Sequence, residues 1–356
     1  MLFSPASLGP LVLKNRLVMS PMTRNRAIGN IPNGLMAQYY AQRTSAGLII
    51  TEGTSPSPNG LGYARIPGVF SEEQIAGWAR VAAAVHATDS HIFMQLMHCG
   101  RIAHRRNMPP GARILGPSAI AATGDIFTDV EGLKANATPE AMTESDITST
   151  IAEYAQAATN AVSAGFDGIE LHGANGYLLE QFLRPTSNKR TDQYGGPIEH
   201  RARFTLDVVD AAINAIGKDR VGIRLSPFGN FNDMPHYDAM EADYTYLVHQ
   251  LNARELVYLH LLDHSAMGAP AVTESMKATF RDDFTRSLIL SGGYDAASAE
   301  RDLEANKCDL IGVGRPFLAN PDLARRWELG AGLNPPSTDT FYTPGPKGYT
   351  DYPPLG

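Results

Sequence analysis

The chain has 356 residues, of which 43% are hydrophobic and 19% charged, the balance of a globular protein with a large core, which excludes an intrinsically disordered one. Its formal net charge of -7 excludes a broad nucleic-acid surface, which needs clustered Lys and Arg to neutralise phosphates. Two cysteines, Cys99 and Cys308, exclude a disulfide framework or a Cys-rich zinc centre, and no apolar stretch approaches the ~20 residues that span a bilayer. We therefore expect a soluble, cytoplasmic protein, monomer or homodimer, with small-molecule partners, no nucleic acid and no membrane.

In chain order, two short apolar pieces around Leu8, Gly9 and Pro10 predict a hairpin that closes one end of a barrel. Compact apolar runs then follow at Leu17 to Met22, Leu48 to Thr51, Ile92 to Met97, Phe166 to Leu171, Val221 to Leu225, Leu256 to Leu262, Leu288 to Leu290 and Leu310 to Val313. Helix-like stretches separate them. Glu72 to Thr88 is Ala-rich, Ser145 to Ala164 follows the capping pair Thr143 and Asp146, and Arg201 to Ile216 has a helical apolar period. Alternating strands and helices imply parallel pairing, and eight such units close a (β/α)8 TIM barrel. The expectation is one barrel domain over residues 1–356. Residues 101–142 hold several Gly and Pro and no sustained helical period, which predicts a lid inserted after strand three.

Function in such barrels gathers just past the C-terminal ends of the strands. Gly292, Gly293 and Gly314, with Arg315, follow the last two runs, where exposed backbone N–H groups and a guanidinium cradle a phosphate; the same glycines also serve as plain tight turns. Thr23 offers a hydroxyl, Gln95 a donor and an acceptor, and Arg224 a fixed charge on an apolar strand. A planar heterocycle with imide edges needs that mixture, although Arg224 also fits an ion pair closing the barrel. His172 and Asn175 follow the fourth run, and three residues apart they would face the same way on a helical turn. Two donors on one carbonyl or nitro oxygen polarise it, each worth roughly 3 kcal/mol in rate. Tyr177, a phenol with a reference pKa of about 10, is protonated at neutral pH and able to give a proton. Spacing does not decide whether Tyr177 shares a side with His172.

The segments SPMTRNRA (Ser20 to Ala27), TEGTSPSPNG (Thr51 to Gly60), QLMHCGR (Gln95 to Arg101), the forty residues from Gly165 to Phe204, GIRLSP (Gly222 to Pro227) and IGVGRPFLANPDL (Ile311 to Leu323) span nearly the whole chain. In these the sequence resembles the old yellow enzyme family of flavin-dependent ene-reductases. The resemblance implies non-covalent FMN, reduced by NADPH or NADH, and hydride transfer from flavin N5 to the β-carbon of an activated alkene. It implies that Pro21, Thr23, Gly53, Gln95 and Arg224 contact the isoalloxazine, and that Gly292, Gly293, Gly314 and Arg315 hold the phosphate. It also implies that His172 and Asn175 bind the substrate's activating oxygen, that Tyr177 protonates the α-carbon and that Tyr342 lines the pocket. Met97 stands where some members carry Trp, and Asn175 where some carry a second His. No metal is implied, since only Glu52 and Asp263 supply carboxylates at strand ends. Two other readings stay open on the residues alone: a phosphosugar lyase or isomerase on the same barrel, and a flavin-binding protein without turnover.

Overall fold

Eight short apolar strands close into a ring in the computed structural model, which describes residues 1–355. They are β1 Leu17–Met19, β2 Leu48–Ile50, β3 His91–Leu96, β4 Gly168–Gly173, β5 Val221–Leu225, β6 Tyr258–Leu262, β7 Ser287–Ser291 and β8 Leu310–Val313. Every neighbouring pair is parallel, and β8 pairs with β1 to close the barrel. The eight apolar runs are thus the eight strands, with two informative differences at their ends. β1 stops at Met19, because Pro21 has no N–H for a ladder. β4 runs on to Gly173, so His172 lies on the strand and not after it.

Side chains alternate between the two faces of each strand. Val18, Leu48, Ile50, Phe93, Tyr258, Ile289 and Leu310 form one buried cluster inside the barrel. Ala6, Leu8 and Leu13 of the antiparallel hairpin Ala6–Leu8 and Leu11–Leu13 join that cluster and seal it, as the sequence predicts. The alternate residues, among them Met19, Met94, Ile169, Leu171, Leu259 and Leu261, pack outward into the main core beneath the helices. Nearer the C-terminal ends the inward positions turn polar, with Gln95, Glu170, His172, Arg224, His260 and Ser291 all buried. A polar layer above an apolar plug is where chemistry belongs in this architecture.

The outer ring comprises α1 Gly34–Ala41, α2 Glu72–His86, α3 Glu144–Ser163, α4 Arg203–Ile216, α5 Met240–Asn252, α6 Glu274–Asp283, α7 Ala296–Glu304 and α8 Leu323–Glu328. The Thr143 hydroxyl accepts the Asp146 N–H at 3.1 Å while the Asp146 carboxylate accepts the Thr143 N–H at 2.8 Å, so the predicted cap of α3 is a full capping box. The helix expected over Arg201 to Ile216 is divided at Ala202 into a short turn, Ile198–Arg201, and α4.

Residues 101–142, which show no sustained helical period, carry short strands instead. They contain an antiparallel hairpin, Asp125–Thr128 with Gly132–Ala135, and a short parallel pair, Leu115–Gly116 with Glu140–Ala141. Ile126 of the hairpin packs in a satellite core with Met97 and Tyr177, which sets the insertion against the barrel mouth. The charges at the start of the insertion are engaged: Arg101 lies 3.5 Å from Asp233, Arg105 3.6 Å from Glu140 and Arg106 2.7 Å from Glu131. The C-terminal tail also folds back over the mouth. Arg24 donates to the carbonyls of Phe341 and Gly348, Arg26 to that of Thr340 and Arg43 to that of Tyr349. Among the described residues no helix is long and apolar enough to cross a membrane.

Candidate active site

Two lobes of one cleft open at the C-terminal ends of the strands, with volumes of about 460 and 870 Å³. They share Pro21, Thr23, Asn175, Arg224, Phe231 and Tyr342 as walls. The smaller lobe adds Gly292, Gly293, Gly314 and Arg315, and the larger adds Gln95, His172 and Tyr177. The cleft therefore collects every predicted site residue except Gly53. The position a Gly53 Cβ would take lies 2.5 Å from Met97 Sδ, so Gly53 makes room for Met97, and Met97 is the residue that lines the cleft.

In the smaller lobe the chain turns at Gly292 and Gly293 with φ of 135° and 75°. A Cβ on Gly292 would sit 2.1 Å from the Asp263 carbonyl oxygen, so this turn needs glycine for steric reasons as well as for its dihedrals. Arg315 is exposed and has no carboxylate within 4 Å among the described residues; its Nη2 lies 3.3 Å from Met267 Sδ. A free guanidinium beside two glycine-lined turns fits a phosphate group.

Strand register assembles the polar frame of the larger lobe. His172 of β4 is level with Arg224 of β5, and Arg224 with His260 of β6. Gln95 of β3 is level with Glu170 of β4, to which its Nε2 donates at 2.8 Å. Arg224 is buried and forms no ion pair within 4 Å among the described residues, and its Nε has no hydrogen-bond partner. An ion pair closing the barrel is thereby removed as its role. Burial lowers its pKa, with the Glu170 carboxylate acting in the other direction. A buried cation with an unused donor and a neighbouring amide form a frame for a heterocycle carrying carbonyl and imide edges, and so the residues fit the ring as well as the phosphate of FMN.

His172 Nδ1 accepts the backbone N–H of Ala174 at 3.3 Å. Burial first, and then the charge of Arg224, push the His172 pKa well below the ordinary 6.5, so the ring is neutral. A neutral imidazole whose Nδ1 accepts carries its proton on Nε2, which leaves one donor. Asn175 does not lie on a helical turn with His172, as the spacing suggested. It occupies a left-handed conformation, φ 59°, one of the few that Asn tolerates readily, and its N–H donates to Ser226 Oγ at 2.9 Å. The next residue, Gly176, donates its N–H to the buried Glu180 carboxylate at 2.7 Å, which fixes the turn. His172 and Asn175 thus face one cleft by a strand end and a left-handed turn.

Tyr177, left undecided by spacing, faces the same lobe. Its ring stands against that of His172 with centroids 4.8 Å apart, and its hydroxyl lies 3.2 Å from that of Tyr63. Burial raises the Tyr177 pKa, which keeps the phenol protonated. Tyr342 lies on the rim, 60% exposed, held there through its carbonyl by Arg65 at 2.8 Å. Sequence reasoning missed Tyr63, Phe231 and Asn232, and Phe127 and Leu133 of the insertion hairpin, all of which line the larger lobe. The signal for Tyr63 was present: it is an aromatic residue in a Gly-rich loop past a barrel strand.

Residues 1–334 match the profile of the NADH:flavin oxidoreductase / NADH oxidase family. The chain is 41% identical over 378 residues to 12-oxophytodienoate reductase 7 of Oryza sativa subsp. japonica, covering 100% of this chain and 95% of that protein. It is 40% identical over 357 residues to a probable flavin mononucleotide-dependent alkene reductase of Leishmania infantum, covering 99% and 97%. Among solved structures, morphinone reductase superposes with a TM-score of 0.96 at 45% identity over 99% of this chain and 96% of that one. The old yellow enzyme homologue from Zymomonas mobilis gives 0.95 at 37% identity over 99% of each.

Proposed function

Because the chain belongs to the NADH:flavin oxidoreductase / NADH oxidase family, the old yellow enzyme family, we propose that it is an FMN-dependent ene-reductase acting on α,β-unsaturated carbonyl or nitro compounds, with NADPH or NADH as reductant. FMN, when bound, would supply the two-electron chemistry that links a reduced nicotinamide to an alkene. Thr23, Gln95 and Arg224 would hold its ring, and Gly292, Gly293, Gly314 and Arg315 its phosphate. No separate dinucleotide fingerprint is needed, since nicotinamide and alkene use the same face of the cleft in turn, which makes the kinetics ping-pong.

His172 Nε2 and the Asn175 amide donate to the substrate's activating oxygen and carry the negative charge that grows there as the β-carbon is reduced. The Tyr177 hydroxyl gives its proton to the α-carbon, with Tyr63 holding it in place. The hairpin of residues 101–142 and Tyr342 keep water from the cleft, so the insertion acts as a lid within the barrel domain.

The observation that carries this reading is the convergence of His172, Asn175 and Tyr177 on one wall of a cleft whose floor is Thr23, Gln95 and Arg224. Purified protein is expected to be yellow, to bleach anaerobically with NADPH or NADH and to recover its colour on adding 2-cyclohexenone. Protein that stays colourless and cannot be reconstituted with FMN overturns the proposal.

A further inference from the structure

Behind the ring site the barrel interior holds a chain of hydrogen bonds that neither the oxygen clamp nor the phosphate turns use. Gln95 Nε2 donates to Glu170 Oε1 at 2.8 Å, Glu170 Oε2 lies 2.8 Å from His260 Nδ1, and His260 Nε2 lies 2.9 Å from Ser291 Oγ. Four strands supply these groups, and Glu170 and His260 have no exposed surface. Glu170 is level with Gly222 on β5 and reaches His260 on β6 across that position, where a Cβ would run to within 2.3 Å of the Tyr258 ring. A buried carboxylate placed this way needs partners for both oxygens, and it has them.

The proton positions follow from the pairing. Burial lowers the His260 pKa, so the ring is neutral and has one N–H. The carboxylate takes that N–H from Nδ1, and Nε2 then accepts the Ser291 hydroxyl. Two consequences reach the cleft. The nitrogen end of the Gln95 amide is committed to Glu170, which turns its carbonyl oxygen outward as an acceptor suited to an imide N–H. Glu170 is also level with Gly222, two positions before Arg224 on the neighbouring strand, which brings its charge to bear on a guanidinium that has no ion pair within 4 Å among the described residues.

We propose that Glu170, held by His260 and Ser291, is a positioning residue for the flavin: it fixes the orientation of the Gln95 amide and offsets the charge of Arg224, and so sets the reduction potential of bound FMN. The inference rests on the reading that Gln95 and Arg224 hold the ring.

The test is Glu170→Gln in the FMN-loaded enzyme, read by the midpoint potential of the bound flavin and by the Kd of oxidised FMN. The substitution keeps the shape, removes the charge opposing Arg224 and gives the Gln95 amide a competing donor. Relative to oxidised FMN, the reduced form is expected to be held about tenfold more tightly than in the parent, which for a two-electron couple raises the potential by about 30 mV. Oxidised FMN is expected to bind roughly tenfold more weakly, the effect of one hydrogen-bond acceptor set astray. His260→Asn keeps an N–H at the Nδ1 position and is expected to retain the parental potential, whereas His260→Leu is expected to reproduce the rise. Should Glu170→Gln fail to fold, the two His260 variants decide the matter. A potential unmoved in Glu170→Gln and His260→Leu, with or without loss of thermal stability, overturns the proposal. Gln95→Ala and Arg224→Ala variants that leave both FMN affinity and potential unchanged overturn the flavin-site reading instead.

Discussion

The ring of Tyr177 stands edge-on to that of His172, with 4.8 Å between centroids and 70° between planes. On the proposed reading this contact of a donor with an acid places the substrate's oxygen at the imidazole and its α-carbon beneath the phenol. Tyr177→Phe keeps the ring contact and removes only the hydroxyl. Flavin reduction by NADPH is expected to persist, while reoxidation by an enone slows roughly 100-fold, the usual worth of a positioned acid. Rapid mixing separates the two half-reactions, and an oxidative half-reaction at the parental rate would remove Tyr177 as the proton donor.

The proposed clamp on the substrate's oxygen makes a separate prediction. A phenol ligand mimics an enolate at the His172 and Asn175 donors, and it is expected to give a charge-transfer band with the flavin. His172→Ala and Asn175→Ala together are expected to weaken phenol binding by about 100-fold or more, from two lost hydrogen bonds to a charged oxygen. FMN is expected to stay bound, as neither residue belongs to the glycine turns or to Arg315, the groups proposed to hold the phosphate. Titrating phenol into the double variant checks the first point, and the yellow colour after gel filtration checks the second.

The strands were legible because each is a short apolar run bounded by Gly, Pro or a polar turn, and alternation of runs with helical periods leaves few topologies. The donors at strand ends were legible for the same reason. The facing of Tyr177 was not, because it depends on the left-handed Asn175 and on a bond from Gly176 to Glu180, neither of which has a periodic signature. The buried chain of hydrogen bonds was half-visible: Glu170 and His260 each interrupt an apolar strand, but their meeting across Gly222 is a matter of barrel register. The hairpin of the insertion had a readable signal in the strand-favouring Ile126, Phe127 and Thr128, obscured by the Gly and Pro around it.

Arg315 offers a prediction that separates phosphate from ring. Among the described residues it lines the smaller lobe without a carboxylate partner, so its charge is available to a ligand. Arg315→Ala is expected to weaken FMN by roughly 10- to 100-fold, the range for one charge-assisted contact, and to leave riboflavin affinity unchanged. Fluorescence titration of both flavins into apoprotein checks this. An equal loss for riboflavin would place Arg315 against the ring or the fold.

Four buried histidines set the behaviour in acid. Burial pushes His98 down to about 3 and His264 to about 4, and lowers His172 and His260 as well, all from 6.5 in the unfolded chain. Below pH 6.5 the unfolded state takes up protons that the folded state refuses, so each group removes about 1.4 kcal/mol of stability per pH unit until its folded pKa is reached. Glu52 opposes them: burial raises its carboxyl to about 7, so the folded state binds the extra proton and gains stability as pH falls from 7 towards 4.5. Four groups outweigh one, and the sign is a loss of stability on acidification. The FMN-loaded protein is expected to lose roughly 5 °C or more in Tm between pH 6.5 and 5.5, measured by flavin fluorescence with FMN in excess. A Tm that is flat or rising over that interval would mean that these rings are charged inside the fold, and the Nε2 donor assigned to His172 would go with them.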